Sequence, residues 1–558
     1  MKLRVAYARR RYKDKVYETP LVVTSYRDEK GTARNKTILS LAGMPAYIVK
    51  LIEAGLKRGD ASVLDEYAPV KTISYENALV VGPAFVVLHL LKQLGIYQAI
   101  QGALPQQQAV ALLNIVVERV TAPKPLSVMA QQRLFEQTPA SFLLDAPETP
   151  ALKTWYAALA TLEKNRETIL QQLFAHNHTA DDLYLYDITS SYFEGETCPL
   201  AEYGYNRDRK KGKKQVVLGV ICDRDGCPIW IDVFKGSTSD QTTVKQELQN
   251  LKEKLGLQRF TFVGDRGMVT HARIEELEKE GWWEDLRYIT ALRRQEMMAL
   301  VEDEAHPIQL ELFDHQRLTE VEYDGTRYVL CHNPQRKQQD QETRQRLLAL
   351  TQSKLDKLRA NVTAGRLKKK EVIARRLHRW INRWGMERFF EVEYEQGAFD
   401  YTLREDEIAR YTRLDGCYVI RSNVEREKHT TEELRDRYKD LKYVEQTFRT
   451  MKTTDIQTRP IRHFNEPQVR GHIFACFLAY RVIWELRQRL APVLDRDPET
   501  KRCEAGSLAE IWRELAAITL AKIEVNGKTL TKLSQINAHA KKLLKLCQVP
   551  SLDSILSE

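Results

Sequence analysis

The feature that most constrains the fold is a run of strand patterns between residues 182 and 291, with two helical patterns set into it. LYLYDIT alternates strictly between apolar and polar residues. KQVVLGVI and PIWIDVF follow, and Asp223–Gly226 supplies the turn between these two. The periodicity then predicts, in order, a helix over 241–255, a strand over 259–264, a helix over 270–281 and a strand over 286–291. The predicted order is therefore βββαβαβ, beginning with three antiparallel strands.

This order is that of a ribonuclease H-like fold, in which a mixed sheet carries acidic residues at strand ends and on a later helix. We therefore predict an α/β protein with a ribonuclease H-like core in two parts, residues 181–294 and 415–470. Residues 295–414 break the pattern with a hairpin marked by Asp324-Gly325 and a highly basic helical stretch. They are predicted to form an insertion domain.

The flanking segments are predicted from their own periodicity, since 558 residues are too many for one core. Residues 1–70 indicate a small module built on a β-hairpin. Residues 71–180 have a helical period that is interrupted by prolines, which predicts several short helices. Two interpretations of this region are equally open: it binds DNA ends, or its helices serve only for packing. Residues 471–558 are predicted to be helical.

Charge and patterning narrow the partners of the protein. Lysine and arginine outnumber aspartate and glutamate by 86 to 76, which favours an anionic partner, and DNA is the first candidate. No membrane is expected, because the most apolar windows, 77–94 and 472–486, are interrupted by polar and charged residues. The N-terminus lacks an export signal and the eight cysteines include no C-x-x-C pair, so we expect reduced thiols and a cytoplasmic protein.

Two aspartates lie where catalytic carboxylates would be useful. Asp187 falls on the first strand pattern, and Asp265 directly follows FTFVG. Two such carboxylates at neighbouring strand ends can hold divalent metal ions, which activate the attacking oxygen and stabilise the leaving oxygen in phosphodiester chemistry. The alternative is that both aspartates are ordinary turn-formers.

A third acid, Glu445, is predicted on a later helix. Thr430 and Glu433 form a plausible capping box. After it, residues recur with helical spacing on one stripe, which consists of Leu434, Tyr438, Leu441, Glu445, Phe448 and Lys452. The pattern therefore predicts that Glu445 points inward, where a carboxylate needs a cation. The alternative is a salt bridge to Lys442, Arg449 or Lys452.

With these residues in place, the sequence resembles the DDE transposases encoded by bacterial insertion sequences. Tyr438, Glu445 and Lys452 match the family's Y-x2-R-x3-E-x6-K signature, although Leu441 stands at the arginine position. The resemblance covers roughly residues 180–480. It also includes these segments: Asp187-Ile-Thr189, Gly236 and Asp240, Val263-Gly-Asp-Arg-Gly267, Asp415-Gly416, Arg459-Pro460 and Gly471-His472.

The resemblance implies roles for the site residues. Asp187, Asp265 and Glu445 would be the catalytic ligands of two Mg²⁺ ions, for which Mn²⁺ substitutes, and Tyr438 and Lys452 would grip phosphates. Lys442 and Arg449, on the same helix, are further candidates for DNA contacts. The resemblance also implies a homodimer that brings two transposon ends together.

Basic clusters mark possible DNA surfaces. One cluster follows the first core strand and consists of Arg207, Arg209, Lys210, Lys211, Lys213 and Lys214. It suits a phosphate-binding loop or a solvated surface equally well. A second lies in the predicted insertion, where Trp380 and Trp384 could stack on a flipped base; packing is the stronger interpretation of the two tryptophans.

Together these patterns predict a DNA transposase. It would bind terminal inverted repeats, cleave the DNA by metal-dependent hydrolysis and transfer the 3′-OH ends into target DNA. Two alternatives stay open, a ribonuclease H-like metal nuclease that cuts without joining and a domesticated DNA-binding protein without catalysis.

Overall fold

The computed structural model divides the chain into two compact units, Met1–Pro83 with Ser507–Glu558, and Ala84–Gly506. The residues that it describes are 3–12, 15–59, 73–75, 78–132, 135, 138–144, 146, 148–177, 182–195, 197–208, 210–266, 268–279, 286–303, 306–308, 318–382, 385–395, 398–495, 503, 505–525 and 528–550.

The first unit opens with a three-stranded antiparallel sheet in the order β1-β2-β3. Its strands are β1 (Leu3–Tyr12), β2 (Lys15–Arg27) and β3 (Ala33–Ser40). Helix α1 (Ala46–Arg58) shares a hydrophobic cluster with the sheet, centred on buried Val22, Leu41 and Val49. The predicted hairpin corresponds to β2 and β3. Strand β1 was not predicted, because three successive arginines break its alternation. Two short strands follow in this unit, β4 (Ile73–Tyr75) and β5 (Leu79–Val80).

The region predicted to be helical, residues 71–180, is helical from Gly82 onward, whereas its first residues form the strands β4 and β5. Its helices are α2 (Gly82–Gln93), α3 (Ile96–Ala103), α4 (Gln106–Thr121), α5 (Leu126–Met129), α6 (Pro139–Leu143), α7 (Leu152–Lys164) and α8 (Arg166–Asn177). Among the described residues, no single helix is long and apolar enough to span a membrane. Helices α2 and α3 meet that test only as a pair, and they are bent by 77° at their junction.

The predicted order βββαβαβ is confirmed in the second unit. The strands of this order are β6 (Leu183–Tyr192), β7 (Gln215–Asp223), β8 (Pro228–Lys235), β9 (Phe260–Gly264) and β10 (Leu286–Ala291). The two helices are α9 (Asp240–Gln249), prolonged by a π-helical turn over Asn250–Lys254, and α10 (His271–Lys279). Helix α11 (Arg294–Glu302) follows the last of these strands. Strand β6 pairs antiparallel with β7 and parallel with β9, as in a ribonuclease H-like core.

The predicted insertion boundary differs from the structure. The hairpin β11 (Leu318–Tyr323) and β12 (Thr326–His332) belongs to the core sheet, because β12 pairs with the returning strand β15 (Cys417–Ser422). The described strands of this mixed sheet lie in the order β11-β12-β15-β10-β9-β6-β7-β8. The hairpin was assigned to the insertion because sequence periodicity does not show which strands pair.

Residues 334–412 have a hydrophobic cluster of their own. Their elements are α12 (Pro334–Thr363), α13 (Lys370–Ile381), a 3₁₀ turn (Met386–Phe389), β13 (Phe390–Glu395), β14 (Ala398–Leu403) and α14 (Glu405–Thr412). Trp380 packs half-buried against this cluster, whereas Trp384 lies outside the described residues. The Asp415 carboxylate, fully buried at the start of β15, accepts hydrogen bonds from Arg294 and Arg344.

The predicted helix over 431–453 is interrupted. Helix α15 (Thr431–Lys439) begins at the predicted capping box and ends before Asp440, and α16 (Leu441–Arg449) continues into a π-helical turn over Thr450–Thr454. Helix α17 (Glu466–Leu494) is largely buried and packs against α4 and α7. Its Gly471 permits that approach, because a Cβ there would lie 1.9 Å from the carbonyl oxygen of Leu159.

The C-terminal region was predicted to be helical, and the structure differs. Helices α18 (Leu508–Leu515) and α19 (Ala538–Leu546) flank two strands, β16 (Thr519–Val525) and β17 (Lys528–Leu533). Strand β16 pairs with β17, β4 and β5, so residues 73–80 and residues 519–533 share one sheet in the first unit. Residues 519–533 have the alternation of a strand, and the prediction missed it.

Candidate active site

The two predicted aspartates lie side by side where β9 ends beside β6, among the inner strands of the core sheet. The last registered pair between parallel strands β6 and β9 is Tyr186 with Gly264, and Asp187 and Asp265 are the next residues of the two chains. Adjacent strands are about 5 Å apart, so their backbones bring these carboxylates together. The predicted neighbourhood of the first two acids therefore agrees with the structure.

Asp187 is the most buried of the three predicted acids. The side chain is partly buried within β6, and its Oδ1 accepts the backbone N–H of Ile188 at 2.7 Å. The pKa of Asp187 is raised to about 7, chiefly by burial and to a smaller extent by the charges of Asp265 and Glu445, while the Ile188 N–H and Arg207 oppose the shift. A carboxylate repelled by two others is one that a divalent cation would stabilise.

Asp265 is exposed, and it lies within reach of α15, the helix before the one that carries Glu445. The hydroxyl of Tyr438 in α15 donates to its Oδ1 at 3.1 Å. Burial and the charge of Asp265 both raise the pKa of the Tyr438 phenol, which keeps the hydroxyl protonated as a donor. Tyr438 is therefore directed at the second acid in this structure.

Glu445 does not point inward, and that prediction was wrong. The buried positions of α16 include Leu441, Val444 and Phe448, whereas Glu445 is exposed. One residue along a helix is a rotation of about 100°, so the residue after Val444 faces away from the core. Helix α16 nevertheless packs on β6, and the charge of Glu445 is close enough to raise the pKa of Asp187.

The three acids suit hard divalent cations by their chemistry, since all of them offer carboxylate oxygen. Burial is the main cause of the raised pKa of Asp187, and a bound cation would relieve the additional repulsion from Asp265 and Glu445. Within the part of the chain that the structure describes, however, no three acidic, histidine or cysteine side chains converge closely enough to hold a metal ion. Binding would therefore require the exposed Asp265 and Glu445 side chains to turn toward Asp187.

Lys452 has a placement that differs from the predicted phosphate contact. Its side chain is 9% exposed, and its ammonium donates to the hydroxyl of Thr189, the carbonyl of Ser190 and the carboxylate of Asp208. These contacts use the three donors of a lysine. Lys452 thus holds the π-helical turn after α16 against strand β6, two residues beyond Asp187.

Sequence reasoning missed Asp208 as a site residue. Its side chain is 5% exposed, lies within 3.2 Å of the Lys452 ammonium and 2.5 Å of the Arg459 guanidinium, and accepts the backbone N–H of Tyr192 at 3.0 Å. A single acid inside the basic run NRDRKKGKK was the available signal. Within that run, Arg207 is bound by Asp240, whose role the sequence also did not reveal.

The remaining predicted DNA contacts lie on the surface. Lys442 and Arg449 are exposed on α16. In the loop before β7, Lys210, Lys211 and Lys213 are exposed and Lys214 is half-buried. Arg209 lies outside the described residues.

Comparison with known proteins shows the family of the chain. The family described as "Transposase DDE domain" matches residues 179–482. A piggyBac transposase synaptic complex with hairpin DNA is 10% identical, with a TM-score of 0.36, over 78% of this chain and 80% of that one. A Mos1 transposase paired-end complex with the left transposon end is 18% identical, with a TM-score of 0.14, over 23% and 41%. Both similarities are too distant for a structural inference, and no curated protein matches the chain.

The family match spans more than half of the chain and contains all three acids, as well as Tyr438 and Lys452. The protein therefore belongs to the transposases with a DDE domain.

Proposed function

We propose that the protein is an insertion-sequence transposase that cleaves DNA at terminal inverted repeats and joins the 3′-OH ends to target DNA. The observation that carries this is the juxtaposition of Asp187 and Asp265 on adjacent parallel strands, with the charge of Glu445 acting on Asp187. This is the donor chemistry that phosphodiester cleavage with two metal ions requires.

Asp187, Asp265 and Glu445 would hold Mg²⁺, or Mn²⁺ in its place. When bound, the ions supply Lewis acidity toward the phosphate and an activated oxygen nucleophile. The chain's own residues prepare the site: Tyr438 orients Asp265, and Lys452 fixes the strand that carries Asp187.

DNA is the proposed partner at this site, as transposon ends in the first step and as target in the second. Lys210, Lys211, Lys213 and Lys214 lie between β6 and β7, and Lys442 and Arg449 lie on the helix of Glu445. Their positive charge would attract the phosphate backbone. A homodimer would hold two ends together, in the cytoplasm of a bacterial cell and associated with its nucleoid.

The test is strand transfer with labelled duplexes that carry the inverted repeats bordering the gene. Asp187→Ala, Asp265→Ala and Glu445→Ala should each lower the rate by about a thousandfold or more, because metal-ion stabilisation is worth several kcal/mol. Binding of the same duplex should persist. Asp225→Ala, which removes an exposed acid in the β7–β8 turn, is the matched control.

Three results would contradict the proposal in different ways. Undiminished transfer by any of the three acid variants would remove that acid from the site. Cleavage without joining would identify the first alternative, a nuclease of the same fold. Failure of the wild-type chain to bind Mn²⁺ in a calorimetric titration would favour the second, a domesticated DNA-binding protein.

A further inference from the structure

Strands β1 and β2 extend beyond the sheet to which they belong. Among the described residues, β3 pairs with β2 over Leu21–Arg27, whereas β1 and β2 continue to pair from Tyr7–Pro20 to Tyr12–Lys15. This stretch, Tyr7–Tyr12 with Lys15–Pro20, is a two-stranded ribbon that we call the arm. At about 3.3 Å per residue, six residues make it roughly 20 Å long.

Both faces of the arm are open to solvent. Side chains alternate across a strand, so Tyr7 lies on one face and Tyr17, paired with Arg10, lies on the other. Tyr7 is 47% exposed, Tyr17 is 55% exposed and Val16 is 60% exposed. A two-stranded ribbon with no core on either side is only marginally stable in water, and exposed aromatic side chains on both faces indicate a surface that receives a partner.

The charge of the chain is concentrated in this part of the molecule. The first 58 residues contain fourteen lysines and arginines against five aspartates and glutamates, a net charge of +9, whereas the whole chain carries +10. The other 500 residues are therefore almost neutral. Arg9, Arg10 and Arg11 are all exposed on the arm; Arg9 pairs with Glu18 at 2.6 Å, and no ion pair with a described residue involves Arg10 or Arg11.

We propose that the arm binds in a groove of duplex DNA. A major groove about 12 Å wide admits a two-stranded ribbon, whose two faces then meet the two groove walls. In that position the arginines would reach phosphates, and Tyr7 and Tyr17 would lie against sugars and base edges. This proposal rests on the proposed function only in that the protein acts on DNA; the arm needs neither metal ions nor the three acids.

A competing explanation is that the arginines protect an open sheet edge from pairing with other chains. Edge protection accounts for the charge, but it gives no reason for aromatic side chains on both faces. It also predicts no contribution of the arm to DNA affinity. The two explanations therefore differ in a measurable quantity.

The experiment measures binding of the full chain to a duplex of arbitrary sequence, by fluorescence anisotropy in EDTA, across roughly 50–200 mM salt. The variant is Arg9→Ala/Arg10→Ala/Arg11→Ala. The control, Lys153→Ala/Lys164→Ala/Lys541→Ala, removes the same charge from exposed helical positions. Each lost phosphate contact reduces the magnitude of the negative slope of log K against log[salt] by about 1, so this magnitude should fall by about 3 in the arm variant and stay unchanged in the control. Equal slopes for the two triple variants would overturn the proposal.

A second measurement remains informative if the arm variant folds poorly. A photo-crosslinking phenylalanine analogue in place of Tyr17, in an otherwise native arm, should form adducts with the duplex that excess unlabelled duplex suppresses. Crosslinks only to a second copy of the chain would overturn the proposal and assign the arm to self-association. Loss of strand transfer in the acid variants with an unchanged salt slope in the arm variant would retain the proposed function and reject the arm. Duplex binding that depends on the arm, without any metal-dependent cleavage, would retain the arm and reject the proposed function.

Discussion

Replacement of Lys452 by methionine should destabilise the protein, because the lysine is a structural cation here. Met keeps the length of the aliphatic chain and removes the ammonium. The change deprives the Thr189 hydroxyl, the Ser190 carbonyl and the Asp208 carboxylate of a shared donor. Burial lowers the pKa of Lys452, and the charge of Asp208 opposes that shift.

The magnitude follows from what remains after the substitution. Removing one partner of a buried ion pair costs about 3–5 kcal/mol, because the other charge stays buried. Asp208 keeps Arg459, so the lower end applies, and the free energy of unfolding should fall by about 3 kcal/mol. Lys442→Met is the control: that side chain is 62% exposed on α16, and its loss should change stability by less than about 0.5 kcal/mol.

The assay is urea unfolding followed by tryptophan fluorescence, together with hydrogen–deuterium exchange of residues 189–193. Lys452→Met should unfold at lower urea and exchange faster at this end of β6, where Asp208 accepts the N–H of Tyr192. Unchanged unfolding and exchange, combined with weaker DNA binding, would refute the structural role. That result would restore the phosphate contact predicted from the sequence.

Two further predictions concern packing and acid stability. Gly471→Ala should lower the melting temperature, because the new Cβ would overlap the carbonyl oxygen of Leu159 and overpacking costs roughly 1–3 kcal/mol. Gly102→Ala is the control: its position in α3 is open, so the melting temperature should stay equal or rise. Burial raises the pKa of Asp415, but hydrogen bonds from its two arginines outweigh burial and hold that pKa below its usual value. Its stabilisation is therefore complete above the ordinary carboxyl pKa and is lost as the pH falls through the lowered value. Asp415→Asn should reduce the melting temperature at neutral pH and flatten its fall in acid, and identical curves in a pH series of thermal melts would contradict this.

The sequence predicted that Asp187 and Asp265 lie on neighbouring strands, because the relevant information is local, but only Asp265 is at a strand end, since β6 continues to Tyr192. Alternation places Asp187 on a strand and Asp265 directly after one, and the order of elements makes those strands parallel neighbours. The capping box of Thr430 and Glu433 was likewise found where a short motif predicts it.

Orientation and pairing were harder to predict, because they depend on distant residues. The prediction that Glu445 points inward assumed one uninterrupted helix from residue 431 to residue 453. The helix instead breaks at Asp440, and the buried face of α16 does not include Glu445. Lys452 meets Asp208 across more than two hundred residues of sequence, a contact that periodicity cannot show. Strand β12 was assigned to an insertion because its pairing with β15 is also a long-range property.

The pairing of β12 with β15 determines where this protein could be recombined with a relative. Residues 327–332 are hydrogen-bonded to residues 417–422, so a graft with junctions at 295 and 414 would remove two strands from the sheet that carries the acids. Junctions at Asn333 and Gly416 would preserve that sheet. The N–H of Asn333 donates to the carbonyl of Gly416 at 2.9 Å, which brings both ends of the exchangeable segment to one point. The segment that could be exchanged is therefore shorter than the insertion domain predicted from the sequence, residues 295–414. Its two ends are next to each other in the structure.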